Sequence, residues 1–137
     1  MERNLIKHGL ILILLSLLTG FIIPLAEAPR LALSAHTIGL ISGILMLTLS
    51  AVWKYLVLSD LQKKAAYWGW VYSSYANWLA ILFGATVGTG RMTPLASRGI
   101  EATDTAELFV AFLLISLSFA ALLAVNLSIL GVIKGQK

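Results

Sequence analysis

His36 is the side chain of this sequence that is best placed to do chemistry, and it is one of two histidines in the chain. It lies within an uncharged run, residues 31–53, that is long enough to cross the hydrocarbon core of a membrane. An ionisable group inside such a span is energetically costly, tends to face the interior of a helix bundle, and marks a functional site by default. Two interpretations follow: His36 ligates a cofactor, or it hydrogen bonds with a neighbouring helix.

Two glycines share the helical face of His36. At 100° per residue, Gly39 and Gly43 both lie within about 60° of the histidine. The Gly-x-x-x-Gly spacing is typical of helices that pack closely through small residues. Alternatively, the missing side chains leave a slot for a flat group, such as a porphyrin ligated by the histidine. Because the glycines lie on the face of a histidine inside a span, the pattern favours a cofactor site formed by His36, Gly39 and Gly43, with close helix packing as the alternative.

Further polar side chains occur inside the apolar run of residues 65–90: Ser73, Ser74, Tyr75 and Asn77. Asn77 is about ten residues from the end of that run, which places its amide roughly 15 Å deep in the membrane. An unpaired polar group in hydrocarbon costs several kcal/mol, so Asn77 needs a partner on another helix or on a substrate. The second histidine, His8, lies at the entrance of the first apolar run, where an interfacial imidazole is tolerated, and no role is predicted for it.

The composition identifies the environment in which these residues work. Of the 137 residues, 59% are hydrophobic and 12% are charged, whereas soluble domains have about 25% charged residues. So much apolar sequence excludes a disordered chain, and the confinement of the charges between long apolar runs disfavours a soluble globule. The chain has no cysteine, which excludes disulfides, thiolate metal sites and covalently attached haem.

Long uncharged runs separate the charges at residues 9–26, 31–53, 65–90 and 108–133. We therefore predict an all-α integral membrane protein, a bundle of four transmembrane helices in a single transmembrane domain over residues 1–137. The predicted helices are about 8–25, 33–58, 65–87 and 105–133. Between them, Pro29 keeps helix out of the first connection, Asp60 to Lys64 form a polar turn, and residues 88–103 form the long loop. Asp104 and Glu107 predict a capping box at the start of the last helix.

The basic residues indicate how the chain is oriented in the membrane. Seven of them fall at one end of the predicted bundle (Arg3, Lys7, Lys54, Lys63, Lys64, Lys134 and Lys137) and three at the other (Arg30, Arg91 and Arg98). Since loops rich in Lys and Arg stay in the cytoplasm, both termini are predicted to be cytoplasmic, in a multi-pass protein of the inner membrane. Orientation also accounts for the net charge of +4, so no nucleic-acid partner is expected.

Several strings of residues carry a family resemblance. They are His8-Gly9, Leu17-Leu18-Thr19-Gly20-Phe21, Ala28-Pro29-Arg30, Leu33-Ser34-Ala35-His36 with Gly39 and Gly43, and Tyr75-Ala76-Asn77-Trp78-Leu79. Together they resemble the hydroxylaminobenzene mutases, a family that is similar to the styrene oxide isomerases. The resemblance implies a small four-helix membrane enzyme in which haem b sits between the protomers of a homotrimer and His36 is the axial ligand. It further implies that ferric iron acts as a Lewis acid on a small aromatic substrate, in an intramolecular rearrangement without net redox change.

Three positions differ from the family pattern. Six residues after the haem-ligating histidine the family usually has Asn, whereas this chain has Ser42. The epoxide isomerases have Asp four residues before and Tyr four residues after the position of Asn77, whereas this chain has Ser73 and Ile81. The resemblance therefore implies conversion of an aryl hydroxylamine to an aminophenol, with isomerisation of an aryl epoxide to an aldehyde as a second activity. The implied catalytic residues are Ser42, Tyr75 and Asn77.

Two other functional classes stay open. A haem-bearing electron carrier or membrane-anchor subunit commonly uses two histidine ligands, but His8 and His36 are predicted to lie near opposite membrane faces within one protomer. In a haem-free subunit of a small transporter, His36 would serve packing alone. Proton-coupled transport generally needs a titrating group in the membrane, and the apolar runs contain no carboxylate.

Overall fold

The computed structural model describes residues 1–135, which form helices and connecting turns without any strand. In chain order the helices are α1 (Glu2–Ile22), α2 (Pro29–Val52), α3 (Asp60–Val87), the short α4 (Pro94–Ser97) and α5 (Asp104–Gly135). Short 3₁₀ turns follow α1 at Ile23–Leu25 and α2 at Trp53–Tyr55. The prediction of an all-α chain is confirmed.

Local capping explains why two helices begin earlier than predicted. α2 begins at Pro29 itself, because proline suits the first turn of a helix, where its missing N–H has no partner to lose. α3 begins at Asp60, because Ser59 and Gln62 form a capping box before it. Ser59 Oγ accepts from the backbone N–H of Gln62 at 3.4 Å, and Gln62 Oε1 accepts from the backbone N–H of Ser59 at 3.1 Å. The prediction of a polar turn over residues 60–64 is therefore wrong, since this segment is the start of α3.

Other bounds also differ from the predicted ones. α1 begins at Glu2, so residues before the first apolar run are already helical, and α2 ends earlier than predicted, in the 3₁₀ turn that begins at Trp53. At the start of α5, the hydroxyl of Thr103 accepts from a backbone N–H of the first turn at 3.5 Å. The predicted capping box between Asp104 and Glu107 is wrong, because the carboxylate of Glu107 binds the preceding loop instead.

The long helices pack as two antiparallel pairs, α1 with α2 and α3 with α5, and α2 joins the pairs through α3. At the end of the bundle that carries the N-terminus (the N-terminal end), the backbone N–H of Val57 donates to Gly131 O at 3.0 Å. At the opposite end, where residues 88–103 form a loop (the loop end), the backbone N–H of Ala28 donates to Ala85 O at 3.0 Å. These bonds tie the two pairs together at both ends, so the helix faces between them are held in a single arrangement.

The outer surface of the bundle is apolar. Within residues 1–135, three helical segments are long and apolar enough to cross a membrane: Glu2–Leu25, Pro29–Tyr55 and Asp104–Gly135. Large apolar side chains on them face outward, with Phe21 78% exposed and Phe112 66% exposed. Such a surface is suited to lipid, because soluble monomers rarely expose large apolar patches to water. α3 has 28 residues but is more polar, so the fourth membrane span stays a prediction.

The basic side chains sort between the two ends of the bundle as the sequence suggested. At the N-terminal end lie Arg3, Lys7, Lys54, Lys63, Lys64 and Lys134, and at the loop end lie Arg30, Arg91 and Arg98. Lys137, which was counted with the first group, lies outside the described residues. Which end faces the cytoplasm stays a prediction.

Candidate functional site

His36 lies on α2 and is half-buried against α1. Its ring nitrogen Nδ1 is 2.7 Å from the backbone carbonyl oxygen of Ser16. Because a carbonyl oxygen can only accept a hydrogen bond, the proton of the neutral ring is on Nδ1. The lone pair of the other ring nitrogen, Nε2, is then free, and this is the arrangement found in metal-binding histidines whose second nitrogen is held by a backbone carbonyl.

The inner face of α1 provides the surroundings of His36. The buried residues of α1 recur every three or four positions and so form one stripe along the helix: Leu5, Gly9, Leu12, Ser16 and Thr19. Ser16 is fully buried, and its hydroxyl donates to the backbone carbonyl of His36. A side-chain atom added at Gly20 would lie 3.5 Å from His36 Nδ1. The imidazole therefore lies against the turn of α1 between Ser16 and Gly20. Sequence reasoning missed Ser16, because α1 is apolar on all sides and the sequence does not show which of its faces is buried.

Gly39 and Gly43 serve the close packing of α2 on α1. A Cβ atom at Gly39 would lie 2.8 Å from Ser16 Cβ, and one at Gly43 would lie 2.6 Å from Ile13 Cγ1. Gly9 is the counterpart on α1, since a Cβ there would lie 2.8 Å from Gly43 O. The structure thus shows the packing alternative at these glycines, and α1 fills the space in which a flat group was expected. A cofactor bound to His36 must lie on another side of the imidazole.

Trp78 connects α3 to the same region. Its indole N–H donates to Thr19 Oγ1 at 3.1 Å, and the Thr19 hydroxyl in turn donates to Leu15 O at 2.8 Å. The indole also lies beside the second helix, because a Cβ at Gly39 would be 2.9 Å from Trp78 Cδ1. Three helices therefore meet within a few residues of His36, which limits how far the turn that carries it can move.

Tyr75 pairs with His8, the histidine for which the sequence suggested no role. His8 Nδ1 lies 3.2 Å from Tyr75 Oη, and the two rings meet edge to face with centroids 5.6 Å apart. Tyr75 Oη is also 3.5 Å from the backbone carbonyl of His8. The ring centroid of a second tyrosine, Tyr67, lies 6.3 Å from that of His8. The Tyr75 hydroxyl is thus engaged at the N-terminal end, and only tertiary contact between α1 and α3 brings these residues together.

The predicted catalytic residues Asn77, Tyr75 and Ser42 do not converge on His36 within one chain. Asn77 is half-buried in a groove of about 440 Å³ that Met92 and several α5 side chains line with it. Tyr75 lines a separate groove of about 270 Å³. Ser42 follows His36 by six positions on α2, which places it about 120° around the helix. The three side chains therefore lie on different surfaces of the chain.

A buried carboxylate holds the loop next to the groove of Asn77. Glu107 is 1% exposed and accepts three backbone hydrogen bonds, from Gly90 at 2.7 Å, Arg91 at 3.1 Å and Ala102 at 3.3 Å. The guanidinium of Arg91 pairs with the exposed carboxylate of Asp104, and this hydrogen bond raises the pKa of Arg91. Because Met92 follows directly in the chain, Glu107 indirectly sets one wall of the Asn77 groove. This role was not predictable, since the partners of Glu107 are backbone groups of a folded loop.

Comparison with known proteins places the chain in a family. A family model described as styrene oxide isomerase matches residues 1–133. The chain is 42% identical over 132 residues to the hydroxylaminobenzene mutase HabB of Ectopseudomonas oleovorans, covering 96% of this chain and 80% of that protein. It is 34% identical over 135 residues to the hydroxylaminobenzene mutase HabA of the same organism, covering 98% of this chain and all (100%) of that protein. No solved structure matches significantly. The chain belongs to the styrene oxide isomerase family and is an isomerase.

Proposed function

We propose that this protein is a haem b-dependent membrane isomerase that converts an aryl hydroxylamine to an aminophenol by intramolecular rearrangement. The observation that carries the proposal is the hydrogen bond from His36 Nδ1 to Ser16 O, because it leaves Nε2 of a histidine in a membrane-spanning helix free to bind iron. The choice of reaction follows the two relatives, which are both named hydroxylaminobenzene mutases.

The donor set of the chain suits haem better than a free metal ion. Among residues 1–135 there is no group of three His, Cys, Asp or Glu side chains that could hold a metal. A porphyrin brings most of the iron ligands itself, so one protein side chain is enough to hold it, and His36 would be that side chain. The carbonyl that fixes the ring tautomer belongs to Ser16, which is fully buried, so water does not compete for the imidazole proton.

The rearrangement needs few protein groups. Its balance is internal: the N–O bond breaks, a C–O bond to the ring forms, a ring carbon loses a proton and the nitrogen gains one. When bound, ferric haem supplies a Lewis acid for the substrate oxygen, without net redox change. The chain has to hold the ligand imidazole still, orient the substrate and keep bulk water away from the breaking bond.

Asn77 is the residue that we propose orients the substrate. Its amide lies in a groove whose other walls are mainly apolar, including Leu114 and Phe119. A carboxamide can both donate to and accept from the N–H and O–H groups of a hydroxylamine, while the aromatic ring of the substrate packs on the apolar walls. The hydroxyl of Tyr75 is held by His8, so Tyr75 contributes its ring face. Ser42 lies on another side of α2 and would reach substrate only in an assembly.

An assembly would also explain why the candidate residues lie on separate surfaces. We propose a homotrimer in which the Asn77 groove of one protomer faces His36 of the next, with haem between them. The chain would cross the inner membrane four times with both termini in the cytoplasm, as the distribution of Lys and Arg indicates. A small apolar aromatic substrate would then enter laterally from the lipid.

Aryl epoxides are the second substrate class, because the matching family model is that of styrene oxide isomerase. Two positions of α3 argue against them as the main substrate. Ser73 is buried and its hydroxyl donates to Trp70 O of its own helix at 3.2 Å, and Ile81 is a buried apolar side chain. Neither provides the polar pair that the epoxide isomerases have at these positions, so we expect phenylhydroxylamine to be converted faster than styrene oxide.

The proposal is tested with the purified protein in detergent. We expect a Soret band with about one haem per protomer, isomerisation of phenylhydroxylamine, and loss of both in His36→Ala while the variant still inserts into the membrane. His8→Ala is the matched control and should keep its haem. A wild-type protein without a Soret band would refute the haem proposal and favour the packing role of His36. A spectrum of two histidine ligands together with absent isomerase activity would favour an electron carrier.

A further inference from the structure

The contact between Ser16 and His36 is reciprocal. The imidazole N–H of His36 donates to the backbone carbonyl of Ser16 at 2.7 Å, and the hydroxyl of Ser16 donates to the backbone carbonyl of His36. Ser16 is 0% exposed, so neither bond is exchanged for water. One residue of α1 therefore holds both the side chain and the main chain of one residue of α2.

We infer that Ser16 is a positioning residue for His36: it fixes the ring orientation and keeps the proton on Nδ1, so that Nε2 is presented to the haem iron. The inference rests on the proposed haem function. It goes beyond that function because it assigns the tautomer and orientation of the ligand to one residue of another helix, through both its carbonyl and its hydroxyl. The hydroxyl acts on the backbone of α2, and the carbonyl of the same residue acts on the ring.

Three hydroxyls of α2 show by contrast that the bond made by Ser16 of α1 is specific. Ser34, Thr37 and Thr48 each donate to the carbonyl four residues earlier in their own helix, which is the ordinary local bond of Ser and Thr in helices. Ser16 reaches across to a different helix instead. It can do so because Gly39 lacks a side chain: a Cβ there would lie 2.8 Å from Ser16 Cβ. The Gly39 position thus brings α1 close enough for both bonds.

Gly20 provides the space that the imidazole occupies. Gly20 lies one turn after Ser16, which is the direction in which the Ser16 carbonyl points along α1. A Cβ at Gly20 would be 3.5 Å from His36 Nδ1 and 3.6 Å from Cε1, which is ordinary contact. An alanine therefore fits, whereas a branched side chain would push the ring off the Ser16 carbonyl. Gly20 provides a second way to disturb the same bond without touching Ser16.

Ser16→Ala removes the hydroxyl and keeps the size of the residue. Without it, the His36 carbonyl loses its partner on α1, the two backbones separate, and the bond from Nδ1 weakens. Loss of such an outer-shell partner typically weakens metal binding by tenfold to a hundredfold. We expect the dissociation constant for haem to rise about tenfold in Ser16→Ala. Ser34→Ala is the matched control, because it removes a hydroxyl of α2 whose partner is Arg30 O and not part of the His36 contact.

The experiment uses two readouts on the full-length chain in detergent. The first is haem titration of wild type, Ser16→Ala, Ser34→Ala, Gly20→Ala and Gly20→Val. The second is the ¹⁵N spectrum of labelled histidine before haem is added, assigned with His36→Ala, which reports the tautomer of His36 irrespective of haem. We expect the Nδ1–H tautomer in wild type, Ser34→Ala and Gly20→Ala, and a mixture of tautomers in Ser16→Ala and Gly20→Val.

The outcomes separate this inference from the proposed function. Equal haem binding by wild type and His36→Ala would refute the proposed ligand. If His36 does bind haem, an unchanged ¹⁵N spectrum and an unchanged haem affinity in Ser16→Ala would overturn the role of Ser16. If Ser16→Ala fails to fold, as judged by its helical circular dichroism, Gly20→Val is tested in its place. A wild-type tautomer of His36 and a wild-type haem affinity in Gly20→Val would equally overturn the inference.

Discussion

Replacement of Gly43 by alanine should destabilise the α1–α2 pair, although alanine is the better helix former. The new methyl group would lie 2.6 Å from Ile13 Cγ1 and 2.8 Å from Gly9 O. The Ile13 side chain can rotate away, but the Gly9 oxygen belongs to the backbone of α1. Since a Cβ atom makes ordinary van der Waals contact only from 3.4 Å, the two helices must separate by roughly 0.6 Å at this point.

The expected free-energy change is a difference of two terms. Overpacking of this kind lowers the free energy of unfolding by about 1–3 kcal/mol. The better helix propensity of alanine raises it by about 1 kcal/mol. We therefore expect the free energy of unfolding to fall by up to about 2 kcal/mol. Gly20→Ala is the matched control, because its methyl would meet His36 at 3.5 Å and needs no movement. That variant should be as stable as the wild type or slightly more stable.

The assay is unfolding in detergent followed by circular dichroism, with haem content measured on the same samples. Gly43→Ala should unfold under milder conditions than the wild type and Gly20→Ala. It should also lose haem, because separation of α1 from α2 lengthens the hydrogen bond from His36 to Ser16. If Gly43→Ala proves as stable as Gly20→Ala, α1 and α2 do not touch at these glycines and the packing derived for His36 is wrong.

Four further substitutions, one of them a control, test other parts of the structure. Tyr75→Phe removes the hydroxyl that meets His8 at 3.2 Å and should lower the free energy of unfolding by about 0.5–1.5 kcal/mol without loss of haem, measured by the same unfolding assay. Glu107→Ala leaves three backbone N–H groups of the loop unpaired, that of Gly90 buried and those of Arg91 and Ala102 partly buried. We expect the free energy of unfolding to fall by about 3 kcal/mol and residues 88–103 to be cleaved faster by proteases. Asp104→Ala removes only an exposed ion pair and should change neither the free energy of unfolding nor the rate of proteolysis. Asn77→Ala should lower turnover of phenylhydroxylamine by roughly tenfold to a hundredfold, while the Soret band persists. Unchanged turnover in Asn77→Ala would show that substrate binds elsewhere.

Local sequence patterns predicted much of the architecture. The apolar runs predicted the helices, and the last helix begins within one residue of the predicted position, at Asp104. Errors arose where a few polar residues were judged by type alone. Residues 60–64 contain Asp, Gln and two Lys and resembled a turn, but Ser59 and Gln62 cap a helix that runs through them. Capping depends on side-chain geometry, which composition does not report.

In the candidate site, too, the sequence predicted what depends on local context and missed what depends on tertiary contacts. The position of His36 inside an apolar run was enough to identify it as the residue of interest, since the cost of an ionisable group in hydrocarbon depends only on that local context. Its partner could not be derived from the sequence, because Ser16 lies 20 residues away and the pairing of α1 with α2 decides which hydroxyl meets the ring. The contact of His8 with Tyr75 spans 67 residues and was missed for the same reason.

By itself, the sequence determined that the chain is helical, that most of its helices are apolar enough for a membrane, and that one histidine, His36, lies inside an apolar run. These properties follow from spacing and hydrophobicity over a few turns, which act within one helix. Only the tertiary structure decided that Gly39 and Gly43 face α1 rather than an open slot, that the Ser16 carbonyl meets His36 Nδ1, and that Asn77 faces α5. Each of these depends on which helix faces are in contact. The pattern of a helical face shows which side chains can be buried, but it does not show which other helix packs against them.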